Sequence, residues 1–158
     1  MQNLVQLSTD EIKAMSYDEF NLIDLKAMQS LQGEIEPRCS VAMGHLMLMW
    51  ENVLYQIASN LTDQYSGGLW TTEHGFWVFQ SDDVFLLSDG YGREFQINAL
   101  EFSIVVNIKA LSNIAISTYQ SGKQALNRRS VFFSDYIKDF MNKNRSVINT
   151  QAIYFLTD

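Results

Sequence analysis

Cys39, His45 and His74 are the side chains in this sequence best suited to nucleophilic or acid–base chemistry. A nucleophile needs a base within hydrogen-bond reach and a third group that orients the base. Cys39 and His45 stand six residues apart at the start of one predicted helix, off the i, i+3 and i+4 spacings that share a helix face. His74 falls in a predicted exposed turn. His45 and His74 could join Asp82 and Asp83 around a cation, but no H-x-x-x-H, H-E-x-x-H or EF-hand pattern is present. Asp82-Asp83 between two strands reads as a solvated turn. Asp89-Gly90-Tyr91-Gly92 lacks the strand-to-helix setting of a phosphate-cradling loop. Among 18 acidic residues, a pair of carboxylates at glycosidase spacing arises by chance. The expectation is a protein with no catalytic residues, no metal and no cofactor.

Charge offers two further candidates, both for binding. Lys123, Arg128, Arg129, Lys138, Lys143 and Arg145 lie on or just after one predicted helix, with Phe133 and Tyr136 between them. Such a candidate basic surface could make weak, salt-dependent contacts to DNA phosphates. The isoelectric point near 4.7 is far from that of a dedicated nucleic-acid binder. Asp10, Glu11, Asp18, Glu19, Asp24, Glu34 and Glu36 form an acidic set, part of which helix caps and the helix dipole explain. The net charge is −7, with acids crowding the first 98 residues and bases the remainder. Two differently solvated faces of one domain account for that asymmetry as well as a partner does.

At 158 residues the chain reads as one domain over 1–158, able to bury roughly 70% of its unfolded surface. A single cysteine forms no intrachain disulfide, in keeping with a reducing cytoplasm. The amino terminus carries neither a basic region nor a long apolar stretch, so no signal peptide is expected. The most apolar stretch, 99–119, is interrupted by Glu101, Asn107, Lys109 and Asn113. A charge near the centre of a lipid-spanning helix is costly, so the stretch reads as a buried helix and no membrane contact is expected.

The elements that position these residues follow from periodicity and punctuation. Ser8-Thr9-Asp10-Glu11 and Ser16-Tyr17-Asp18-Glu19 are capping boxes that predict helices near 9–15 and 17–30, ended by Gly33 and Pro37. Val41, Leu46, Met47, Met49, Trp50, Val53, Leu54 and Ile57 recur near helical spacing and predict a long helix over 38–60. Met43, Met47 and Met49 on it read as adaptable core filler. Five of the eight glycines then fall between 67 and 92, separating aromatic and β-branched runs. Strands are predicted at 69–73, 76–80, 84–88 and 94–98, joined by short turns into an antiparallel meander. A buried helix over 99–120 stops at Gly122, a second runs over 123–142, and a terminal piece covers 146–156. The fold class is α+β: one domain, a small meander of three or four strands packed with several helices.

Tyr65-Ser66-Gly67-Gly68-Leu69-Trp70 followed by Gly75-Phe76 is the most distinctive segment. Paired glycines permit a tight turn, and the rings beyond them suit a pleated surface. The segment resembles the central signature of the ArdB/KlcA-type antirestriction proteins of plasmids and bacteriophages. The similarity covers roughly 36–158, from Glu36-Pro37-Arg38 opening the long helix to the ending Ala152-Ile153-Tyr154-Phe155-Leu156-Thr157-Asp158. The first 33 residues match loosely. The family's cysteine-proline is replaced by Ser59-Asn60-Leu61-Thr62 ahead of Asp63, and 76–80 lacks its methionine-alanine-proline run. The resemblance implies a small cytoplasmic protein of a mobile element that counteracts host type I restriction–modification. It implies no catalysis, and as partner a restriction–modification complex engaged directly or indirectly. Tyr65, Gly67, Gly68, Trp70, Gly75 and Phe76 are the family motif, and their residue types suit the hinge of a small sheet better than a contact surface. A protein-binding regulator or other anti-defence factor on the same scaffold is the alternative, and an unrecognised hydrolase or transferase a third reading.

Overall fold

The computed structural model describes residues 45–158. The expected helices at 9–15 and 17–30, both capping boxes, Gly33, Pro37, Cys39, Met43, the acidic set and the first part of the long helix lie outside the described residues. From there the order is α1 (His45–Leu61), β1 (Trp70–Glu73), β2 (Phe76–Phe79), β3 (Phe85–Ser88), β4 (Glu94–Ile97), α2 (Ala99–Gln120), α3 (Gln124–Lys143) and α4 (Thr150–Thr157). The α+β class and all four strands stand as the sequence predicts.

The strands form two separate hairpins instead of one continuous ladder. β1 pairs with β2, Trp70 opposite Phe79, and β3 pairs with β4, Phe85 opposite Ile97, both antiparallel. Side chains explain the break between β2 and β3. The outward Phe79 N–H donates to Ser103 Oγ at 2.8 Å, and the Trp77 carbonyl accepts from Asn107 Nδ2 at 2.7 Å. Helix α2 thus occupies the edge of β2 that a third strand would need. The outer edge of β3 is held by the Gln64 amide, which donates to the Val84 carbonyl at 3.0 Å and accepts from the Leu86 N–H at 2.9 Å. One side chain does there what a peptide group of a neighbouring strand would do, and a short sealed edge resists stray pairing.

Helix α2 is the centre of the core. It begins with a reciprocal cap: the Glu101 N–H donates to Asn98 Oδ1 and the Asn98 N–H to Glu101 Oε1, each at 2.9 Å. Its residues from 101 to 108 are all buried, so no polar face remains over two turns. It is long and apolar enough to cross a membrane, and these turns lie inside the protein's own core. Asn107, a polar intruder by sequence, is satisfied on both sides. It accepts from Trp50 Nε1 of α1 at 3.0 Å and donates to the Trp77 carbonyl and the Ser103 carbonyl, each at 2.7 Å. Among the described residues Trp77 Nε1 finds no partner in this core, and an unpaired buried donor costs ~1–3 kcal/mol.

At its far end α2 stops at Gly122 (φ +73°), where the Lys123 N–H returns to the Thr118 carbonyl at 2.8 Å. Helix α3 folds back along α2, tied near the turn by Asn127 Nδ2 donating to the Ala115 carbonyl at 2.7 Å. Phe133, Tyr136, Ile137 and Met141 form its inward stripe at helical spacing. Helix α4 buries Ala152, Ile153 and Leu156.

Candidate binding surfaces

The signature segment is built into the interior. Trp70 Nε1 donates to the Tyr65 hydroxyl at 3.0 Å, and the Tyr65 ring meets Phe79 edge-on at 5.2 Å between centroids. Phe102 of α2 closes the group and stacks on Phe85 at 4.3 Å and 12°. Trp70, Phe76 and Phe79 are buried and Tyr65 half-buried. Gly68 (φ +145°) brings its backbone against the Phe79 ring, where an added Cβ would lie 2.6 Å from ring carbon. Gly75 (φ +93°) does the same against Tyr136 of α3, at 2.7 Å. Gly67 also has positive φ (+99°), but its Cβ position meets open space. Two of the three glycines are therefore required twice over, by torsion and by contact. Phe76 packs edge-on to Phe140 of α3 at 5.3 Å.

His74 departs from its expected place in an exposed turn. It is half-buried at φ +58°, its ring stacks on Phe140 at 4.9 Å, and its carbonyl accepts from the Tyr136 hydroxyl at 2.5 Å. The cause is the Gly75 turn, which lays the hairpin tip onto α3. Every group of the signature named above serves packing, a hydrogen bond or a turn. Its chemistry is that of a hinge between the first hairpin and two helices.

The basic set does not assemble into one patch. Arg129 is 1% exposed, which corrects its expected place on the surface. It stands four residues before Phe133 and seven before Tyr136, on the inward stripe of α3, and that spacing is readable in the sequence. Lys143 donates to Asp139 Oδ2 at 3.0 Å across one turn, an exposed pair of small energetic value. Lys138 is half-buried, while Lys123 and Arg145 are exposed. Lys123 precedes the first residue of the 20-residue α3 and Arg145 stands two beyond its last, so about 30 Å of helix lies between them. For Arg128 the helical backbone alone is described.

The second hairpin shows a cluster that motif reading missed. Asp89 Oδ1 accepts the Tyr91 N–H at 2.8 Å and the Arg93 N–H at 3.2 Å, and Oδ2 accepts Arg93 Nε at 2.7 Å. These bonds, led by that from Tyr91, hold the Asp89 carboxyl below its ordinary range. The Arg93 guanidinium then lies 3.9 Å over the Phe155 ring, which stacks on Phe95 at 5.7 Å. The hairpin is thereby clamped to α4. The clamp continues through Glu101, whose second oxygen accepts the Asn149 N–H at the start of α4 at 2.6 Å. On α1, Tyr55 donates to Glu51 at 2.8 Å, and burial with this carboxylate pushes its phenol up to about 12.

Asp82 and Asp83 are exposed in the connection between β2 and β3, solvated as expected. Among the described residues no group of three or more His, Cys, Asp or Glu side chains is placed to hold a metal ion. No protein-family model, curated protein or solved structure matches the chain. The resemblance stated above therefore rests on the ordered residues themselves.

Proposed function

We propose that this chain is a cytoplasmic antirestriction protein of a mobile element, such as a plasmid or bacteriophage. It counteracts host type I restriction–modification by non-catalytic binding. The observation that carries the reading is the ordered signature from Tyr65 to Phe76, set between a long helix and a buried one. The engagement of Tyr65, Gly68, Trp70, Gly75 and Phe76 in packing supports a division of labour. A signature of this kind identifies a scaffold, and the surface around it selects the partner. That partner is a host restriction–modification complex, engaged directly or through an intermediate.

DNA contact is a lesser part of the proposal. The burial of Arg129, the pairing of Lys143 and the spread of Lys123 and Arg145 leave little concentrated positive charge to neutralise phosphates. The test is the survival of unmodified phage on a type I restricting host that expresses the chain. Restored plating supports the proposal. Unchanged plating with folded, abundant protein leaves the second reading, a binding regulator or other anti-defence factor on this scaffold.

A further inference from the structure

We infer that the outer face of the β3–β4 hairpin is a docking surface for a basic protein surface, with Leu86 at its centre. In β3, Phe85 and Leu87 point into the core, while Leu86 and Ser88 point out. Register places Leu86 opposite Gln96 and Ser88 opposite Glu94, and both of those β4 residues are exposed. Leu86 is 52% exposed, Val84 47% and Leu69 64%.

Hydrogen bonds set Val84 and Leu86 along one edge of β3. The Gln64 amide bridges Val84 and Leu86, which sets neighbouring Asp63 along the β3 edge. Asp83 directly precedes Val84. The Leu69 carbonyl accepts from the Gln80 N–H at 2.9 Å, at the end of the first hairpin and three residues before Asp83. Asp63, Asp83 and Glu94 are all exposed, and among the described residues none of them is ion-paired.

The charge of this face selects its partner. Between residues 45 and 108 the chain carries a single arginine and no lysine, and that Arg93 is committed to Asp89 and Phe155. Exposed apolar side chains flanked by carboxylates gain from a partner that brings cations. A second copy of a chain of net charge −7 would oppose acid to acid, and DNA would oppose phosphate to acid. Strand addition at the β3 edge is disfavoured, because Gln64 already occupies it. The face, and not the edge, remains.

The experiment places a photoreactive benzophenone side chain at position 86 and, in a control, at exposed position 116. Position 116 is exposed on α2, 13 residues and about 20 Å along the helix from Ser103, which caps the β2 edge. Cross-linking is performed in cells of the restricting host, and the contacted peptide is identified by mass spectrometry. The expected result is an adduct from position 86, on a Lys/Arg-rich protein surface, exceeding that from 116. Asp83→Lys with Glu94→Lys in the same chain should reduce it about tenfold, with unchanged melting. Four results each overturn the inference: no protein adduct at 86, an adduct to nucleic acid or a second copy, a contact surface lacking basic residues, or an adduct indifferent to charge reversal. An adduct on a basic protein unrelated to restriction sustains the docking face while removing the antirestriction reading. Phage protection with no adduct at 86 does the reverse.

Discussion

At the scale of single residues, the glycines of the signature separate torsion from contact. Gly67→Ala meets open space and bears backbone strain alone, so a loss of about 1 kcal/mol is expected. Gly68→Ala and Gly75→Ala add a Cβ to the same strain against Phe79 and Tyr136, for about 3 kcal/mol or more. Urea denaturation of the three variants should reproduce that order, and equal losses would mean that the rings move aside freely. Asp89 gives a residue-scale test in pH. Its carboxyl is held below the usual value near 3.8 in the folded chain. A lowered folded value favours the folded state above the unfolded value, and the advantage disappears as pH falls through the folded one. Thermal melts should lose stability in the wild type as pH drops below about 4, beyond the loss shown by Asp89→Asn. Identical acid profiles for the two proteins would contradict the clamp.

At the scale of elements, Asn107 joins α1, β2 and α2 through its amide. Asn107→Ala leaves the Trp50 indole N–H and the Trp77 carbonyl without this partner in a dry core. At ~1–3 kcal/mol per orphaned group, a loss of about 3 kcal/mol is expected in chemical denaturation. A loss near zero would show that β2 is not held by α2. The same residue explains what was legible in the sequence. Period-2 runs between glycines located the four strands, and continuous apolarity located α2 with both its ends. The pairing of the strands was not legible, because it depends on side chains from distant segments. Ser103, Asn107 and Gln64 carry no local signal that they will cap strand edges 20 or more residues away. Glu101 was counted as an interruption of an apolar run. The Asn98-x-x-Glu101 spacing was a readable cap, whereas its bond to Asn149 was not. Residue type alone puts Arg129 on the surface, whereas its spacing from Phe133 and Tyr136 puts it inward. The exposed place that local sequence implies for His74 fails because its turn rests on α3, a contact with no local signal.

At the scale of the whole molecule, the described residues form a scaffold whose recognisable signature points inward. Among the described residues, Asp63, Asp83 and Glu94 are exposed around the hairpins, while Lys123, Lys143 and Arg145 are exposed around α3, where Asp135 is exposed too. The dispersal of these cations accords with the proposed recognition of a protein more than with general binding to DNA. The central claim is protection against type I restriction, and the most direct measurement is the plating of unmodified phage. Plating on a restricting host, relative to an isogenic non-restricting host, is compared with and without induction of the chain. The account expects induction to raise the restricted plating toward the unrestricted level and to leave the non-restricting control unchanged. An unaltered ratio, with the chain present in soluble, cooperatively melting form, would contradict it.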